Sequence, residues 1–216
     1  MFPRFCFTLL LTPTLLTAQP YDLVLSNGRV LDPATNLDAI RNVAIRNGKI
    51  AAISTSKLPA RRTIDVTNHV IAPGFIDLHS HGQTPENYRL KARDGVTTAL
   101  ELEIGVPNVA KWYAEREGKA LVNFGASVGH VPVRMVVMKD TGDWLPKDHA
   151  ITKPSTPEDR SALKSLLEAG LREGALGIGF GFGYTPKAGT DELQEMFAIA
   201  AKWNRVAFVH MRYGSM

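Results

Sequence analysis

Short stretches of alternating hydrophobic and polar residues fill the chain from Tyr21 to about Val66, and this pattern predicts short β-strands. Apolar stretches flank Ser26-Asn27-Gly28, and a second pair flanks Asn47-Gly48. Asn-Gly between alternating strands is a strong hairpin signal, because both turn positions need a positive φ. The pattern therefore predicts two β-hairpins in the first part of the chain.

After Pro73 the pattern changes to apolar strands that alternate with helices, which is typical of a parallel sheet. The predicted strands lie at about 70–79, 97–104, 121–129, 175–183 and 205–211. The predicted helices lie at about 85–94, 107–118, 157–173 and 190–203. Val70 to Leu78 is a nearly continuous apolar run, which indicates a strand buried on both faces.

The number of predicted strands is too small for a closed barrel. An eight-stranded α/β barrel takes about 250 residues, and only about 145 follow residue 70. We therefore expect a partial barrel of about five βα strands, with about three βα units missing.

The first 20 residues differ from the rest of the chain. Arg4 supplies a positive charge, Phe5 to Leu16 is mostly apolar, and Thr17-Ala18-Gln19-Pro20 offers a small-residue cleavage site. Residues 1–20 therefore predict a secretory signal peptide and an exported protein, periplasmic or secreted. The segment is short and is interrupted by Pro13, which disfavours a membrane span.

Composition limits the possible chemistry. The net charge of +4 is spread along the chain, so nucleic-acid binding is not indicated. Cys6 is the only cysteine, and removal of the signal peptide would leave neither disulfides nor thiolate ligands. A metal would then have to be held by His, Asp, Glu or a modified Lys.

His79 and His81 are the main candidates for metal ligands. Side chains two positions apart on a strand point to the same face, roughly 7 Å apart, so two imidazoles can converge on one ion. Gly82 would end the strand directly after them, and ligands in parallel α/β folds gather at such carboxyl ends. A lone strand His is more often a satisfied polar residue, but this context favours a metal site.

Several motifs together give the chain a resemblance to a known family. They are Tyr21–Val30, Ala72–Asp77 with His79-Ser80-His81, Asp94–Thr98, Val128–His130, Gly174–Tyr184 and Phe208–Arg212. On these motifs the chain resembles the amidohydrolase superfamily and, within it, the N-acyl-D-amino-acid deacylases (D-aminoacylases). The resemblance implies a TIM barrel with a small β-sandwich, one or two Zn²⁺ ions and a small-molecule N-acyl amino acid substrate. It suggests a β-sandwich part at 21–68 and a truncated barrel at 69–216.

The resemblance also implies roles for individual residues. His79 and His81 match the metal ligands of the first barrel strand, and His210 matches another at the end of the fifth. Tyr184 matches a substrate-side tyrosine whose phenol would donate a hydrogen bond to an oxyanion; the alternative is a loop aromatic. His130 ends the third predicted strand, so we expect it to face the pocket and contact substrate, with a structural His as the alternative.

The identity of one further metal ligand is left open. D-aminoacylases carry a Cys after the second strand, where this chain has Ile104. Glu101 and Glu103 lie on one face of an otherwise buried strand, which is costly without a cation or hydrogen-bond partners, and carboxylates are good Zn²⁺ ligands. We favour Glu103, which is nearer the carboxyl end, over Glu101; the alternative is that both are core acids paired with Arg or Lys.

The glycines at 177, 179, 181 and 183 alternate strictly. They lack the spacing of a dinucleotide-binding motif. They indicate instead a strand that lets backbone or ligand come close.

The chemistry that the resemblance implies is amide hydrolysis by a metal-activated water, with a carboxylate base that carries the proton to the leaving amine. In the family that base follows the eighth strand, so we expect this truncated chain to be without measurable turnover. An open half barrel would also expose a sheet edge and apolar faces, so we expect the chain to be poorly soluble. One alternative is a cyclic-amide hydrolase of the dihydroorotase or hydantoinase type. It is disfavoured because Ala175–Tyr184 contains no Lys to be carbamylated. The other alternative is a non-catalytic remnant or binding module, whose sign would be a folded monomer with no metal.

Overall fold

The computed structural model describes residues 20–212, so the predicted signal peptide lies outside the described residues except for Pro20. The chain divides into two compact units, a first that ends at Pro73 and a second that begins at Gly74. The boundary predicted from the sequence lies between residues 68 and 69. In the structure Val70–Ile71 still pairs with a strand of the first unit.

The first unit is one mixed β-sheet. Its strands are β1 (Tyr21–Asp32), β2 (Leu37–Arg46), β3 (Lys49–Ser54), β4 (Ala60–Asp65) and β5 (Val70–Ile71). They follow the order β3-β2-β1-β4, and β5 also pairs with β1. β2 runs antiparallel to β1 and β3, whereas β4 and β5 run parallel to β1.

One of the two predicted hairpins is confirmed. Asn47 and Gly48, with φ values of 52° and 71°, form the turn between β2 and β3. The other hairpin is wrong, because Ser26-Asn27-Gly28 lies inside β1. The register against β2 shifts there, so the segment is a β-bulge. Asn27 has a φ of 64°, and a left-handed Asn serves a bulge as well as it serves a turn.

The second unit is an α/β unit whose five strands all run parallel. The strands are β6 (Phe75–Asp77), β7 (Val96–Val106), β8 (Asn123–Gly129), β9 (Gly177–Gly181) and β10 (Val206–His210), and they follow this order in the sheet. The helices are α1 (Pro85–Arg93), α2 (Val109–Arg116), α3 (His130–Val137), α4 (His149–Thr152), α5 (Pro157–Arg172) and α6 (Thr190–Lys202), with a 3-10 turn at Phe182–Tyr184. The curled sheet confirms the predicted partial barrel. Within residues 20–212 no helix is long and apolar enough to span a bilayer.

Local sequence explains where the helices begin. Thr84 caps α1, since its hydroxyl accepts a hydrogen bond from the backbone N–H of Asn87 at 3.3 Å. Thr156 and Asp159 form a reciprocal capping box at the start of α5, with Pro157 at the first helical position. Between helices and sheet lies an apolar core that includes Val128, Leu163, Leu167, Ile178, Phe180 and Met196.

The predicted strand at 70–79 is corrected in two ways. It is divided, because Val70–Ile71 belongs to the first unit and only Phe75–Asp77 opens the second sheet. The predicted burial on both faces is also wrong. Phe75 and Ile76 are 69% and 61% exposed, since β6 is an edge strand.

β7 carries a large bulge. It pairs with β8 at Glu101 opposite Ala126 and next at Val106 opposite Val128, so Leu102–Gly105 faces one residue of β8. We call Leu102–Gly105 the β7 bulge. A Cβ added to Gly179 of β9 would lie 2.4 Å from the carbonyl oxygen of Leu102. The prediction that this glycine-rich strand lets backbone come close is confirmed.

Candidate metal centre

His79 and His81 lie just after β6 and not within it, which corrects the expectation that both stand on one strand face. Their Nε2 atoms are nevertheless 2.8 Å apart. The Asp77 carboxylate accepts hydrogen bonds from the backbone N–H of His79 at 3.1 Å and from Lys91 Nζ at 2.5 Å. Burial opposes ionisation of Asp77, but these bonds outweigh it and hold its pKa below the ordinary value. The carboxylate is therefore charged and anchors the turn that carries His79.

Glu103 joins the histidines from the β7 bulge. Its Oε1 lies 3.3 Å from His79 Nε2, 3.5 Å from His81 Nε2 and 3.5 Å from His210 Nδ1. The side chain is only 13% exposed, and its buried Oε2 has no hydrogen-bond partner among the described residues. We call His79, His81, Glu103 and His210 the donor cluster. Its residues lie just after β6, near the carboxyl end of β7 and at the carboxyl end of β10.

The donor cluster fits a divalent cation. One nitrogen or oxygen from each of His79, His81 and Glu103 lies within 4.8 Å of the others. Two ligands at about 2.1 Å from a tetrahedral Zn²⁺ are about 3.4 Å apart, close to the observed contacts. The buried Oε2 of Glu103 also needs a cation or a hydrogen-bond donor, because a buried carboxylate oxygen without a partner costs free energy.

Glu101 lies on the other side of the His81 ring. Its two carboxylate oxygens are 2.8 and 3.0 Å from His81 Nδ1, so the imidazole stands between Glu101 and the donor cluster. Burial raises the pKa of Glu101, and the hydrogen bond with His81 offsets this only in part. A proton on Nδ1 leaves Nε2 free as a metal ligand, a common arrangement in metal sites. Among the described residues, Glu103 and not Glu101 is grouped with His79 and His81, while Glu101 contacts His81 Nδ1; which of the two acids is a ligand stays a prediction.

Tyr184 is brought next to the donor cluster. It lies half-buried in the 3-10 turn, and its ring centroid is 5.0 Å from that of His210. Ile104, where the family has a Cys, offers no ligand atom and packs in an apolar cluster that Tyr184 borders. The substrate-side role of Tyr184 stays a prediction.

His130 does not face a pocket, which contradicts its predicted contact with substrate. The side chain is fully buried at the start of α3, and its Nε2 is 2.6 Å from Glu192 Oε1. Glu192 also accepts a hydrogen bond from the buried Arg134. Burial opposes ionisation of Glu192, but the His130 hydrogen bond and both partners' charges lower its pKa to about 2. The three side chains form a buried ionic network that joins α3 to α6.

Trp144 was missed in the sequence analysis. Its ring centroid lies 5.1 Å from that of His81, and the residue is 52% exposed. With Glu101 it lines a cavity of about 490 Å³, and none of the four residues of the donor cluster is among those that line it.

The loop that carries Trp144 is held by the carboxylate of Asp140. This carboxylate accepts hydrogen bonds at 2.9 to 3.0 Å from the backbone amides of Gly142, Lys147, Asp148 and Ala150. Burial opposes ionisation, but the amides outweigh it and keep the pKa of Asp140 far below its ordinary range. No periodic or motif signal marks this loop, so only the three-dimensional structure reveals it.

The curled parallel sheet and the donors at its strand ends form a partial α/β barrel with a candidate metal site, and comparison with known proteins extends this. A D-aminoacylase of Alcaligenes xylosoxydans xylosoxydans is 29% identical over 231 aligned positions, which cover 90% of this chain. The structure of an N-acyl-D-glutamate deacylase from Bordetella bronchiseptica, complexed with zinc and a phosphonate mimic of the tetrahedral intermediate, gives a TM-score of 0.76 at 25% identity and covers 90% of this chain. A D-aminoacylase structure gives a TM-score of 0.72 at 30% identity, again over 90% of this chain. Dihydroorotases match more weakly, and no protein-family model matches.

These comparisons confirm the resemblance found in the sequence. The chain matches the N-terminal portion of an amidohydrolase-superfamily protein of the D-aminoacylase type. It spans less than half the length of these relatives, 45% of the curated D-aminoacylase and 46% of each of the two solved structures.

Proposed function

We propose that this chain carries the metal centre of a zinc-dependent hydrolase that cleaves the amide bond of N-acyl-D-amino acids. The observation that carries the proposal is the convergence of three imidazole nitrogens on Oε1 of the half-buried Glu103. The zinc-bound N-acyl-D-glutamate deacylase, whose structure this chain resembles over 90% of its length, supports the substrate class.

The donor cluster would hold one or two Zn²⁺ ions. When bound, the metal lowers the pKa of a coordinated water and polarises the acyl carbonyl. Glu101 keeps a proton on His81 Nδ1 and so presents Nε2 as a lone-pair donor. Tyr184, whose ring lies beside that of His210, would donate a hydrogen bond to the acyl oxygen as negative charge develops on it.

The cyclic-amide alternative is disfavoured by the structure of the fourth strand of the second unit. Hydrolases of the dihydroorotase and hydantoinase type would need a carbamylated Lys there, and β9 contains none. The Cβ position of Gly179 is taken up by carbonyl oxygens of the β7 bulge, which leaves no room for a long side chain. Export of the protein, predicted from residues 1–20, belongs to this proposal as well.

The test is metal content and deacylation by the chain expressed without the predicted signal peptide. We expect about one or two Zn²⁺ per chain, and loss of bound zinc in His79→Ala and Glu103→Gln. His69→Ala is the control, because His69 lies in the first unit and contacts the backbone of Thr67. Zinc retained in both donor variants would overturn the proposal. The lack of turnover stays a prediction, and hydrolysis of N-acyl-D-glutamate or of its L-enantiomer by this chain would contradict it.

A further inference from the structure

The β7 bulge is where the sheet departs from regular pairing. Leu102–Gly105 has only Ser127 opposite it on β8. The extra residues leave the ladder and approach β9, which is not adjacent to β7 in the sheet. Glu103 belongs to these extra residues, so its position in the donor cluster depends on the shape of the bulge.

Ser127 closes the bulge from the β8 side. The residue is fully buried, and its hydroxyl donates a hydrogen bond to the carbonyl oxygen of Leu102. Gly105, at the other end of the bulge, has a φ of 68°, and a Cβ there would lie 2.5 Å from Ser127 Oγ. The hydroxyl therefore touches both ends of the bulge and satisfies a carbonyl that the interrupted ladder leaves out.

Gly179 supports the bulge from the β9 side. A Cβ added to Gly179 would lie 2.4 Å from the carbonyl oxygen of Leu102, 2.7 Å from that of Glu103 and 2.8 Å from Ser127 Oγ. These oxygens occupy the place of a side chain, so even a methyl group would push the bulge away from β9. The backbone on either side of Glu103 is thus fixed by contacts outside the donor cluster.

We infer that Ser127 is a positioning residue of the metal centre. Its hydroxyl, together with the lack of a side chain at Gly179, fixes the β7 bulge so that Glu103 reaches all three histidines. The inference rests on the proposed function only in taking the donor cluster as a metal site. Groups that orient metal ligands typically change metal affinity about 10- to 100-fold when they are replaced. We expect an effect of this size from the loss of one hydroxyl.

The experiment uses the full chain with the variants Ser127→Ala and Gly179→Ala. Zinc affinity is measured by competition with a chromogenic chelator, and the visible spectrum of the Co²⁺-substituted protein reports ligand number and geometry. Ser26→Ala is the matched control, since the Ser26 hydroxyl also donates to a strand carbonyl, that of Ile64, but in the first unit. We expect about 10- to 100-fold weaker zinc binding and an altered Co²⁺ spectrum in both variants, with neither change in the control.

Each outcome decides the inference. Native affinity and a native Co²⁺ spectrum in Ser127→Ala, together with metal loss in Glu103→Gln, would overturn the positioning role and leave the proposed function standing. Metal retained in both Glu103→Gln and His79→Ala would overturn the proposed function itself. If Ser127→Ala does not fold, Ser127→Cys keeps the volume with a weaker donor and carries the same test, with an intermediate loss of affinity expected.

Discussion

Glu103 Oε1 lies 3.5 Å from His210 Nδ1, although β8 and β9 stand between their strands in the sheet. The contact exists because the sheet curls and because the β7 bulge projects across β9. The donor cluster is therefore a product of tertiary structure, and several consequences can be measured.

Replacing Glu101 by Gln should weaken zinc binding about 10- to 100-fold without removing it. Gln keeps the size of Glu but loses the charge that holds the proton on His81 Nδ1. Chelator competition measures the effect. His81→Ala should lose more, and adding Glu101→Gln to it should change little further, because Glu101 acts through His81. Independent, additive losses in the double variant would contradict this role.

Glu192 should make stability depend on pH in a defined window. Its folded pKa of about 2 lies below the ordinary value of 4.5, so the fold favours the charged form. The resulting stability is fully present above about pH 5 and is lost as the pH falls towards 2. One pKa unit corresponds to about 1.4 kcal/mol, so the effect amounts to about 3 kcal/mol.

The measurement is urea unfolding of the native chain and of Glu192→Gln between pH 7 and pH 2. At pH 7 the variant should be about 3 to 5 kcal/mol less stable, because Arg134 and His130 lose a buried charged partner. The difference should shrink as the pH falls. Glu195→Gln is the control, since that carboxylate lies in a more exposed pair. A difference that does not change with pH would refute the assignment.

Asp140→Ala should loosen the loop that presents Trp144. The substitution leaves four backbone amides without their shared acceptor, at a cost of about 2 kcal/mol or more. Hydrogen exchange should quicken over residues 142–150 while α5 keeps its protection. Asp143→Ala is the matched control, because Asp143 is in the same loop with a 97% exposed side chain. Equal exchange in the two variants would show that Asp140 does not hold the loop.

Trp144 should report metal binding by fluorescence. Its ring lies 5.1 Å from that of His81, and quenching by a paramagnetic ion such as Cu²⁺ falls off steeply with distance. Titration with Cu²⁺ should quench the native chain, and Trp144→Phe should lose most of that quenching. Trp203→Phe, which removes an indole beside Arg172, should keep it. Full quenching in Trp144→Phe would place the ion elsewhere.

Part of this fold and site can be predicted from local sequence. Alternation, caps and the Asn47-Gly48 turn depend on neighbouring residues, so the parallel unit and one hairpin could be predicted. His79 and His81 were found because strand ends carry chemistry, and His210 was found through the family resemblance. The hairpin predicted at Ser26-Asn27-Gly28 was wrong because a left-handed Asn is compatible with both a turn and a bulge. Only the pairing of β1 with β2 decides between them.

The rest depends on contacts between distant segments. Residues 99–105 look like an ordinary strand, and nothing local indicates the bulge that separates the roles of Glu101 and Glu103. His130 meets Glu192 only after α6 has packed, so its burial could not be inferred from its place at a strand end. The alternating glycines were the one local sign that a backbone would come close.

Zinc K-edge X-ray absorption on the purified, zinc-loaded chain tests the central claim most directly, because it reports the atoms bound to the metal. The donor cluster predicts a shell of nitrogen and oxygen at about 2.0–2.2 Å with multiple scattering from imidazoles, and no sulfur at about 2.3 Å. The imidazole signal should fall when His79 and His81 are replaced by Ala. A zinc shell without imidazoles, or one unchanged in that double variant, would contradict the account.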